Sequence, residues 1–328
     1  MSAVETIEVK PDESGMRLDR WFRAHYPDLK HGQLQKLLRS GQVRVDGGRA
    51  KANVRLEEGQ TVRVPPMRFE KSSSDKPAAA ITQDDIRFIQ DLVIHKDDQV
   101  IALNKPPGLA VQGGTKTERH VDGLLDGLKY KASERPRLVH RLDKDTSGVL
   151  LLARNRRSAA ALGDALKGRE AVKTYWALVE GVPAPARGEI SMPLAKKGGQ
   201  GSERVRVCDE DDEDAQRAVS RYAVIESAGR KLSWVALWPI TGRTHQLRVH
   251  MAAIGHPIVG DGKYGSGEPV SGGEIDNLLH LHAREIDIPN PSGGRLHVTA
   301  ELPDHMLKTW KLLGFDPNRS MAEFEELV

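Results

Sequence analysis

The segment His140–Gly148, followed at once by the apolar stretch Val149–Leu152, is the feature that most constrains the fold of this chain. A short continuous apolar stretch next to a turn is typical of a strand that is buried on both faces. The sequence Thr146-Ser147-Gly148 favours a tight turn directly before that strand. Asp143 therefore lies in a loop that a buried strand holds rigidly, and a ligand can still reach it.

The bulk composition fits a folded protein with more than one domain. At 328 residues, of which 38% are hydrophobic and 29% are charged, the chain suggests two domains with a real core. Its net charge of +3 is too small to indicate a nucleic-acid partner by itself, so the distribution of charge matters more. Cys208 is the one cysteine, which excludes an intrachain disulfide and a thiolate zinc cluster.

No part of the sequence has the pattern of a membrane segment. The chain has no apolar stretch of membrane length, and Met1–Glu5 shows no signal-peptide pattern. A single cysteine is compatible with a reducing compartment. We therefore expect a cytoplasmic protein that does not bind a membrane.

Basic residues are concentrated near the start of the chain. Residues 15–68 hold twelve Lys and Arg against five Asp and Glu, a net charge of +7. Apolar residues at helical spacing predict two short helices there, around Leu18–His25 and Leu34–Leu38, and Gly41 ends the second. Asp46-Gly47-Gly48 predicts the tight turn of a hairpin after them. The charges have two explanations that fit them equally: they form the solvated surface of a small domain, or they bind RNA.

Two sequence segments favour the RNA-binding interpretation. Arg17-Leu18-Asp19 and Leu37–Gly47 resemble the alpha-L (S-four-like) RNA-binding module of a small-subunit ribosomal protein. The resemblance implies an N-terminal α/β module in which Arg17, Arg39 and Arg44 contact RNA. One departure concerns His31-Gly32, which stands near the place where that family often has Ser-Arg, so one phosphate contact is missing from the pattern.

The remaining sequence predicts a linker and a larger domain. Low hydrophobicity and small residues in Lys71–Ala80 favour a flexible linker. We predict the basic module at residues 1–68, the linker at 69–85 and the larger domain at 86–328. In that domain strands and helices mix without regular alternation, which predicts an α+β fold with a mixed, mostly antiparallel central sheet. Thr244 is predicted to cap a helix that follows it.

The loop residue Asp143 has three interpretations. It can cap a turn or pair with Arg141, which is the ordinary role of a loop aspartate. It can bind a metal ion together with His140 and Asp145. It can also be an ionised carboxylate that acts as a nucleophile or a base beside an arginine.

Three motifs in order favour the chemical interpretation. They resemble the signatures of the large family of pseudouridine synthases that modify ribosomal and transfer RNA. The motifs are His140–Gly148, Val172–Gly181 and Thr241–His250. The resemblance covers nearly the whole chain, apart from details of the linker and the acidic run Asp209–Asp214, which we expect to form a solvated loop.

The resemblance implies a pseudouridine synthase that moves the glycosidic bond of a flipped-out uridine from N1 to C5. Asp143 is then the catalyst, Tyr175 packs on the base, and Arg243 pairs with Asp143. Whether Asp143 attacks C1′ or removes a proton from C2′ stays open. The resemblance implies no metal and no cofactor.

The same resemblance implies an RNA partner. It assigns RNA or substrate contacts to Arg141, Lys173 and Arg248. The stretch Leu103–Gly114, together with the basic module, is most similar to bacterial enzymes that modify large-subunit (23S) ribosomal RNA. Nothing in the sequence demands a partner subunit, so we expect a monomer.

Alternative functions remain at this point. They are a sister synthase acting on large-subunit or transfer RNA, a non-catalytic RNA-binding or ribosome-assembly factor, and a metal-assisted nuclease that uses His140, Asp143 and Asp145.

Overall fold

The computed structural model describes residues 4–26, 29, 31–66, 81–113, 119–168, 170–197, 204–267, 274–319 and 324. The chain divides into two compact units, Met1–Ala79 and Ala80–Val328. Most of the predicted linker, residues 69–80, lies outside the described residues. Gln83–Asp85, which the sequence analysis placed at the end of the linker, already form the first turn of a helix.

The first unit contains two helices and a small sheet. Its elements are β1 (Glu5–Glu8), α1 (Leu18–His25), α2 (His31–Arg39), β2 (Arg44–Val45), β3 (Gly48–Arg49) and β4 (Thr61–Val64), with a short 3-10 helix at Pro11–Glu13. The strands pair in the order β1-β4-β2-β3. Trp21 and Phe22 of α1 pack with Leu34 of α2 and Val62 of β4, which gives this unit its own core. The two helices lie where helical spacing predicts them.

The second unit contains the remaining elements. Its helices are α3 (Gln83–Asp91), α4 (Val121–Leu124), α5 (Arg156–Lys167), α6 (Gln246–Ala253) and α7 (Asp304–Leu313), with a 3-10 helix at Leu125–Leu128. Its strands are β5 (Val93–Lys96), β6 (Val100–Lys105), β7 (Arg137–Leu138), β8 (Ser147–Ala153), β9 (Val172–Glu180), β10 (Arg187–Ser191), β11 (Leu194–Lys197), β12 (Arg204–Val207), β13 (Val219–Ala228), β14 (Leu232–Pro239), β15 (Leu281–Pro289) and β16 (Arg295–Thr299).

Within the described residues, ten of these strands form one sheet. The order along it is β10-β13-β14-β9-β15-β8-β6-β5, with β16 beside β15 and β7 beside β8. Strands β15 and β8 are parallel, and the other neighbouring pairs among the described residues are antiparallel. The α+β prediction with a mixed, mostly antiparallel sheet is confirmed.

Strand β8 is buried along its whole length, as its apolar sequence predicts. It sits near the middle of the sheet, between β15 and β6. Gly148 has a φ of 107°, and a Cβ there would overlap the backbone of Ala283 on β15. Glycine is therefore required where β8 and β15 approach each other, and this fixes the loop that carries Asp143 to the sheet.

The prediction that Thr244 caps a helix is wrong. Helix α6 begins at Gln246, and its N-cap residue is His245 in the left-handed conformation, with φ 52° and ψ 19°. The Gln246 side-chain oxygen instead accepts from the Thr241 hydroxyl and the Arg243 N–H, which closes the turn before the helix. The chain therefore enters α6 later than a threonine cap implies.

The hairpin β11–β12 pairs Leu194 with Val207 and Lys197 with Arg204. The acidic run Asp209–Asp214 follows it as a mostly exposed turn, and Asp212 pairs with Arg206 at 2.9 Å. In the part of the chain that the structure describes, no helix is long and apolar enough to cross a membrane.

Candidate active site

Three elements of the second unit meet at one cavity. The loop before β8 carries Asp143, strand β9 carries Tyr175, and helix α6 carries Arg248. Their side chains line a cavity of about 600 Å³. The structure thus brings together residues from three separate motifs of the sequence.

Asp143 is held by two long contacts. Its side chain is 27% exposed, and its Oδ2 lies 3.5 Å from Nη1 of Arg248. The same oxygen lies 3.8 Å from Nε2 of His245. Both distances exceed the roughly 2.7–2.9 Å of a strong charge-assisted hydrogen bond. The carboxylate therefore lies beside two nitrogen-bearing side chains and forms a short hydrogen bond with neither.

Arg248 is fixed from its other side by Asp261. Its Nε and Nη2 donate to the two carboxylate oxygens of Asp261 at 2.7 and 2.6 Å. Asp261 is fully buried and also accepts the backbone N–H groups of Lys263 and Tyr264. Burial alone raises the pKa of Asp261, but the Arg248 hydrogen bonds and charge outweigh it, and the pKa is lowered. This bidentate pair holds the guanidinium against Asp143.

The prediction that Arg243 pairs with Asp143 is wrong, because Arg248 forms that ion pair. Arg243 is exposed and lines the same cavity, and its Nε donates to the carbonyl of Arg217 at 3.1 Å. His245 and Arg248 are three residues apart, so they share the face of α6 that meets Asp143. The motif has two arginines, and the three-residue spacing of His245 and Arg248 is the signal that distinguishes them.

Tyr175 forms part of the apolar wall of the cavity. It is half-buried and packs against two hydrophobic clusters, one containing Leu103 and the other Leu247. Burial, and then the negative charge of Asp143, raise the pKa of Tyr175 well above its ordinary value. Tyr175 therefore keeps its hydroxyl proton at neutral pH and offers a flat apolar ring to a ligand.

Comparison with known proteins identifies the family. The RNA pseudouridylate synthase family matches residues 99–253, the span that contains Asp143, Tyr175 and Arg248. Over 292 residues the chain is 34% identical to "Ribosomal large subunit pseudouridine synthase C" of Rickettsia typhi, covering 88% of this chain and 94% of that relative. The chain belongs to the RNA pseudouridylate synthase family.

Relatives from other organisms are also similar to this chain. The protein of the same name from Escherichia coli strain K12 is 34% identical over 303 residues, covering 90% of this chain and 91% of the relative. "RNA pseudouridine synthase 4, mitochondrial" of Arabidopsis thaliana is 35% identical, covering 95% and 82%. The solved structure of "Human RNA Pseudouridylate Synthase Domain Containing 4" matches with a TM-score of 0.60 at 28% identity, covering 70% of this chain and 96% of that one.

Burial lowers the pKa of two further residues that line the cavity, Lys173 and His140. Lys173 lies two residues before Tyr175 on β9, so both side chains face the cavity. Burial lowers the pKa of Lys173. Burial, together with the charge of Lys173, lowers the pKa of His140 to about 4. The Nε2 of His140 accepts the N–H of Leu151 at 2.8 Å, so that nitrogen is not available to a metal ion.

The metal-site interpretation of this loop gains no support elsewhere. Among the described residues, no group of three or more His, Cys, Asp and Glu side chains could hold a metal ion. Asp145 is exposed.

Lys105 is a structural residue of the site that the sequence analysis missed. It is fully buried, and its Nζ donates to the carbonyls of Pro106, Leu109 and Lys144 at 2.9 to 3.0 Å. Burial lowers its pKa to about 7, although the charges of Asp145 and Asp143 oppose this shift. Lys105 thus ties the end of β6 to the loop of Asp143. A lysine that ends an apolar strand was the available signal.

The remaining predicted RNA contacts lie in two places. Arg141 is exposed and lines the cavity. Three others belong to the first unit and are exposed there. In that unit Arg17 pairs with Asp19 at 2.6 Å, Arg39 donates to the Gln35 carbonyl, and Arg44 donates to the Gly41 and Gly47 carbonyls.

Proposed function

We propose that this protein converts specific uridines of large-subunit (23S) ribosomal RNA to pseudouridine in the cytoplasm of a bacterium. The observation that carries the proposal is the carboxylate of Asp143, which faces Arg248 in a cavity walled by Tyr175. The printed names of the bacterial relatives support the large-subunit substrate. The reaction involves no net redox change, so it needs no nicotinamide or flavin.

The reaction needs the target base outside the RNA helix. The enzyme extrudes the uridine, and we assign the holding of the neighbouring bases to Arg141, an exposed residue that lines the cavity. The N1–C1′ bond then breaks, the uracil turns, and C5 bonds to C1′. The hydrogen on C5 leaves as a proton and N1 gains one, so atoms and electrons balance.

Asp143 starts the reaction by one of two routes. It attacks C1′ as a nucleophile, or it removes a proton from C2′ to give a glycal. Arg248 and His245 both approach Oδ2, so we assign Oδ1 to the substrate in either route.

The freed uracil has to stay in the cavity until it reattaches. Tyr175 offers it a flat apolar surface, and Lys173 provides a positive charge beside it. An enclosed site that retains the base also keeps water from intercepting the sugar. Because the pKa of Tyr175 is raised, this residue acts through packing and its neutral hydroxyl and not as a phenolate base.

We also propose that residues 1–68 form an RNA-binding module and that the protein acts as a monomer. Its exposed arginines Arg17, Arg39 and Arg44 suit contacts to phosphates. The larger domain then carries the chemistry, and the segment between residue 68 and the start of α3 at Gln83 links it to the module.

Release of tritium from C5 tests the proposed reaction. The full chain is incubated with unmodified large-subunit ribosomal RNA, and separately with unmodified transfer RNA, each labelled with C5-tritiated uridine. We expect release from large-subunit RNA by the native protein and none by Asp143→Ala, because the new C5 bond expels that hydrogen.

Each other outcome identifies an alternative. Release of tritium from transfer RNA alone would show that transfer RNA, and not large-subunit ribosomal RNA, is the substrate. Activity that a chelator abolishes, together with shortened RNA, would favour a nuclease. Binding of either RNA without release would favour a non-catalytic factor.

A further inference from the structure

The residue that begins α6 is held in an unusual way. His245 has a left-handed backbone, which a residue with a large side chain rarely adopts and which persists where surrounding contacts enforce it. Its side chain is 4% exposed. Nδ1 lies 2.8 Å from the hydroxyl of Tyr264, and Nε2 lies 3.8 Å from Oδ2 of Asp143. The ring therefore spans the distance between a tyrosine and the reactive carboxylate.

The hydrogen bonds of Tyr264 favour one tautomer of His245, because the hydroxyl proton of Tyr264 has Nδ1 of His245 as its nearby acceptor. The Tyr264 oxygen accepts the backbone N–H of Val205 at 2.9 Å. Its own hydroxyl proton is then available to Nδ1 of His245, which becomes an acceptor. A neutral His245 consequently carries its proton on Nε2, facing Asp143. The opposite tautomer would point a lone pair at the carboxylate.

The surroundings of Tyr264 keep this arrangement in place. Burial is the main cause that raises the pKa of Tyr264, so the hydroxyl keeps its proton. Its backbone N–H is held by Asp261, and the Arg248 guanidinium lies 5.3 Å from its ring centroid. Its ring packs against Leu194 and Val205 of the hairpin β11–β12. The same network thus joins the hairpin, the arginine and the carboxylate.

We propose that Tyr264 and His245 are positioning residues for the reaction. Tyr264 fixes His245 as the Nε2–H tautomer, and His245 then holds Oδ2 of Asp143 so that Oδ1 stays turned to the ribose. This inference rests on the proposed pseudouridine synthase activity and names two residues that steer its catalyst without touching the base.

The first test removes one oxygen atom. Tyr264→Phe keeps the ring against the hairpin and deletes the hydroxyl, so both tautomers of His245 become accessible. We expect kcat for tritium release to fall about tenfold, in the range seen when an outer residue that orients a catalytic group is changed. KM for RNA should stay unchanged, because phosphate contacts dominate RNA affinity.

Tyr222→Phe is the matched control. Tyr222 is buried whereas Tyr264 is partly buried, and the Tyr222 hydroxyl donates to a backbone carbonyl, that of Pro185 at 3.0 Å. A purely structural role for Tyr264 predicts that both variants lose thermal stability equally and keep the native kcat. That result would overturn the proposal.

A double-variant cycle tests whether the two residues act in sequence. His245→Asn suits the left-handed backbone and retains a polar group near Tyr264, but it has no atom in place of Nε2. We expect kcat to fall further than in Tyr264→Phe, and the double variant to equal His245→Asn alone. Additive losses would show that the two residues act independently.

A tautomer measurement separates this inference from the proposed activity. In protein with 15N-labelled histidine, the His245 resonance, identified by its loss in His245→Asn, should show Nε2–H and become mixed in Tyr264→Phe. Nδ1–H in the native protein would overturn the inference whatever the RNA assays give. If the native protein releases no tritium while the tautomer is Nε2–H, the proposed function fails. The arrangement of Tyr264, His245 and Asp143 inferred here then still holds.

Discussion

Arg248 lies between two aspartates that the protein treats differently. Asp261 is fully buried and receives two short hydrogen bonds from the guanidinium and two from backbone N–H groups. Asp143 is 27% exposed and meets the same guanidinium at 3.5 Å. One carboxylate is saturated and the other is left with unused hydrogen-bonding capacity in a cavity.

This difference separates anchoring from reactivity. A buried charge that is fully hydrogen-bonded fixes the position of its partner but has no oxygen left for chemistry. A carboxylate that is oriented by longer contacts keeps lone pairs for a substrate. The short Arg248–Asp261 pair therefore supports the longer Arg248–Asp143 contact, because Arg248 can orient Asp143 only while Asp261 fixes the guanidinium.

The largest expected contrast comes from changing each aspartate to asparagine. Asp261→Asn leaves Arg248 as a buried charge without its partner and should lower the free energy of unfolding by about 3–5 kcal/mol. Asp143→Asn should lower it by less than about 1 kcal/mol, because that pair is long and partly exposed. Tritium release by Asp143→Asn should fall by about 10⁴-fold or more. Urea unfolding and the tritium assay measure the two effects.

Equal losses of stability in the two variants would contradict this division of roles. It would mean that Asp143 is as much a structural residue as Asp261.

The sequence predicts the aspartate to which we assign the chemistry, but not the aspartate that anchors Arg248. Asp143 is recognisable because a long local motif and a buried strand follow one another along the chain. Arg248 and Asp261 lie thirteen residues apart and meet because the chain turns back after α6. Local patterns carry no information on that turn, so the motif alone, which contains two arginines, does not distinguish Arg248 from Arg243.

The fold was predictable to a similar degree. The apolar stretches, mixed with helical segments in no regular alternation, predict the α+β class, and the spacing of Leu18, Trp21 and Phe22 predicts α1. The left-handed start of α6 at His245 was not predictable, because tertiary contacts to Tyr264 and Asp143 enforce a backbone that local propensity disfavours.

The two arginines of the third motif provide the next contrast. Arg248→Lys replaces a fork that meets Asp261 through two nitrogens with a single ammonium, so we expect kcat to fall about 100-fold. Arg243→Ala removes an exposed side chain and should change KM by less than about fivefold, with kcat unchanged. Steady-state kinetics with labelled RNA measures both. A larger kcat loss in Arg243→Ala than in Arg248→Lys would restore Arg243 as the partner of Asp143.

As pH falls, the protein should first lose stability through the protonation of buried histidines in the unfolded chain. Protonation of Asp261 should affect stability only at lower pH. Burial, followed by the neighbouring His305, lowers the pKa of His280 to about 4, and burial lowers that of His282 to about 3. Between these values and the unfolded pKa near 6.5, the unfolded chain binds more protons, so stability falls as pH falls. From pH 7 to 5 each should contribute a loss on the order of 1–2 kcal/mol.

Asp261 titrates lower, because its pKa is lowered from the ordinary range. Its contribution to stability is present above the unfolded pKa near 3.9 and is lost only below it. Urea unfolding at pH 7, 6 and 5 should give parallel slopes for the native protein and Asp261→Asn, and a shallower slope for His280→Gln. If the free energy of unfolding of Asp261→Asn did not change with pH, the acid sensitivity would arise from Asp261 and not from the histidines.

The smallest expected effect extends the contrast between saturated and unsaturated charges to the first unit. Arg17 is already paired with Asp19, whereas Arg39 donates to the neutral carbonyl of Gln35. An arginine that already pairs with a carboxylate neutralises RNA phosphate less and displaces fewer of the cations condensed on the RNA. Arg39→Ala should therefore reduce the salt slope of RNA affinity by about 1, and Arg17→Ala by less. Binding measured from low to moderate salt compares them, with kcat unchanged in both. Equal slopes in the native protein and both variants would mean that this face does not meet phosphate, and the charges of the first unit would then be a solvated surface.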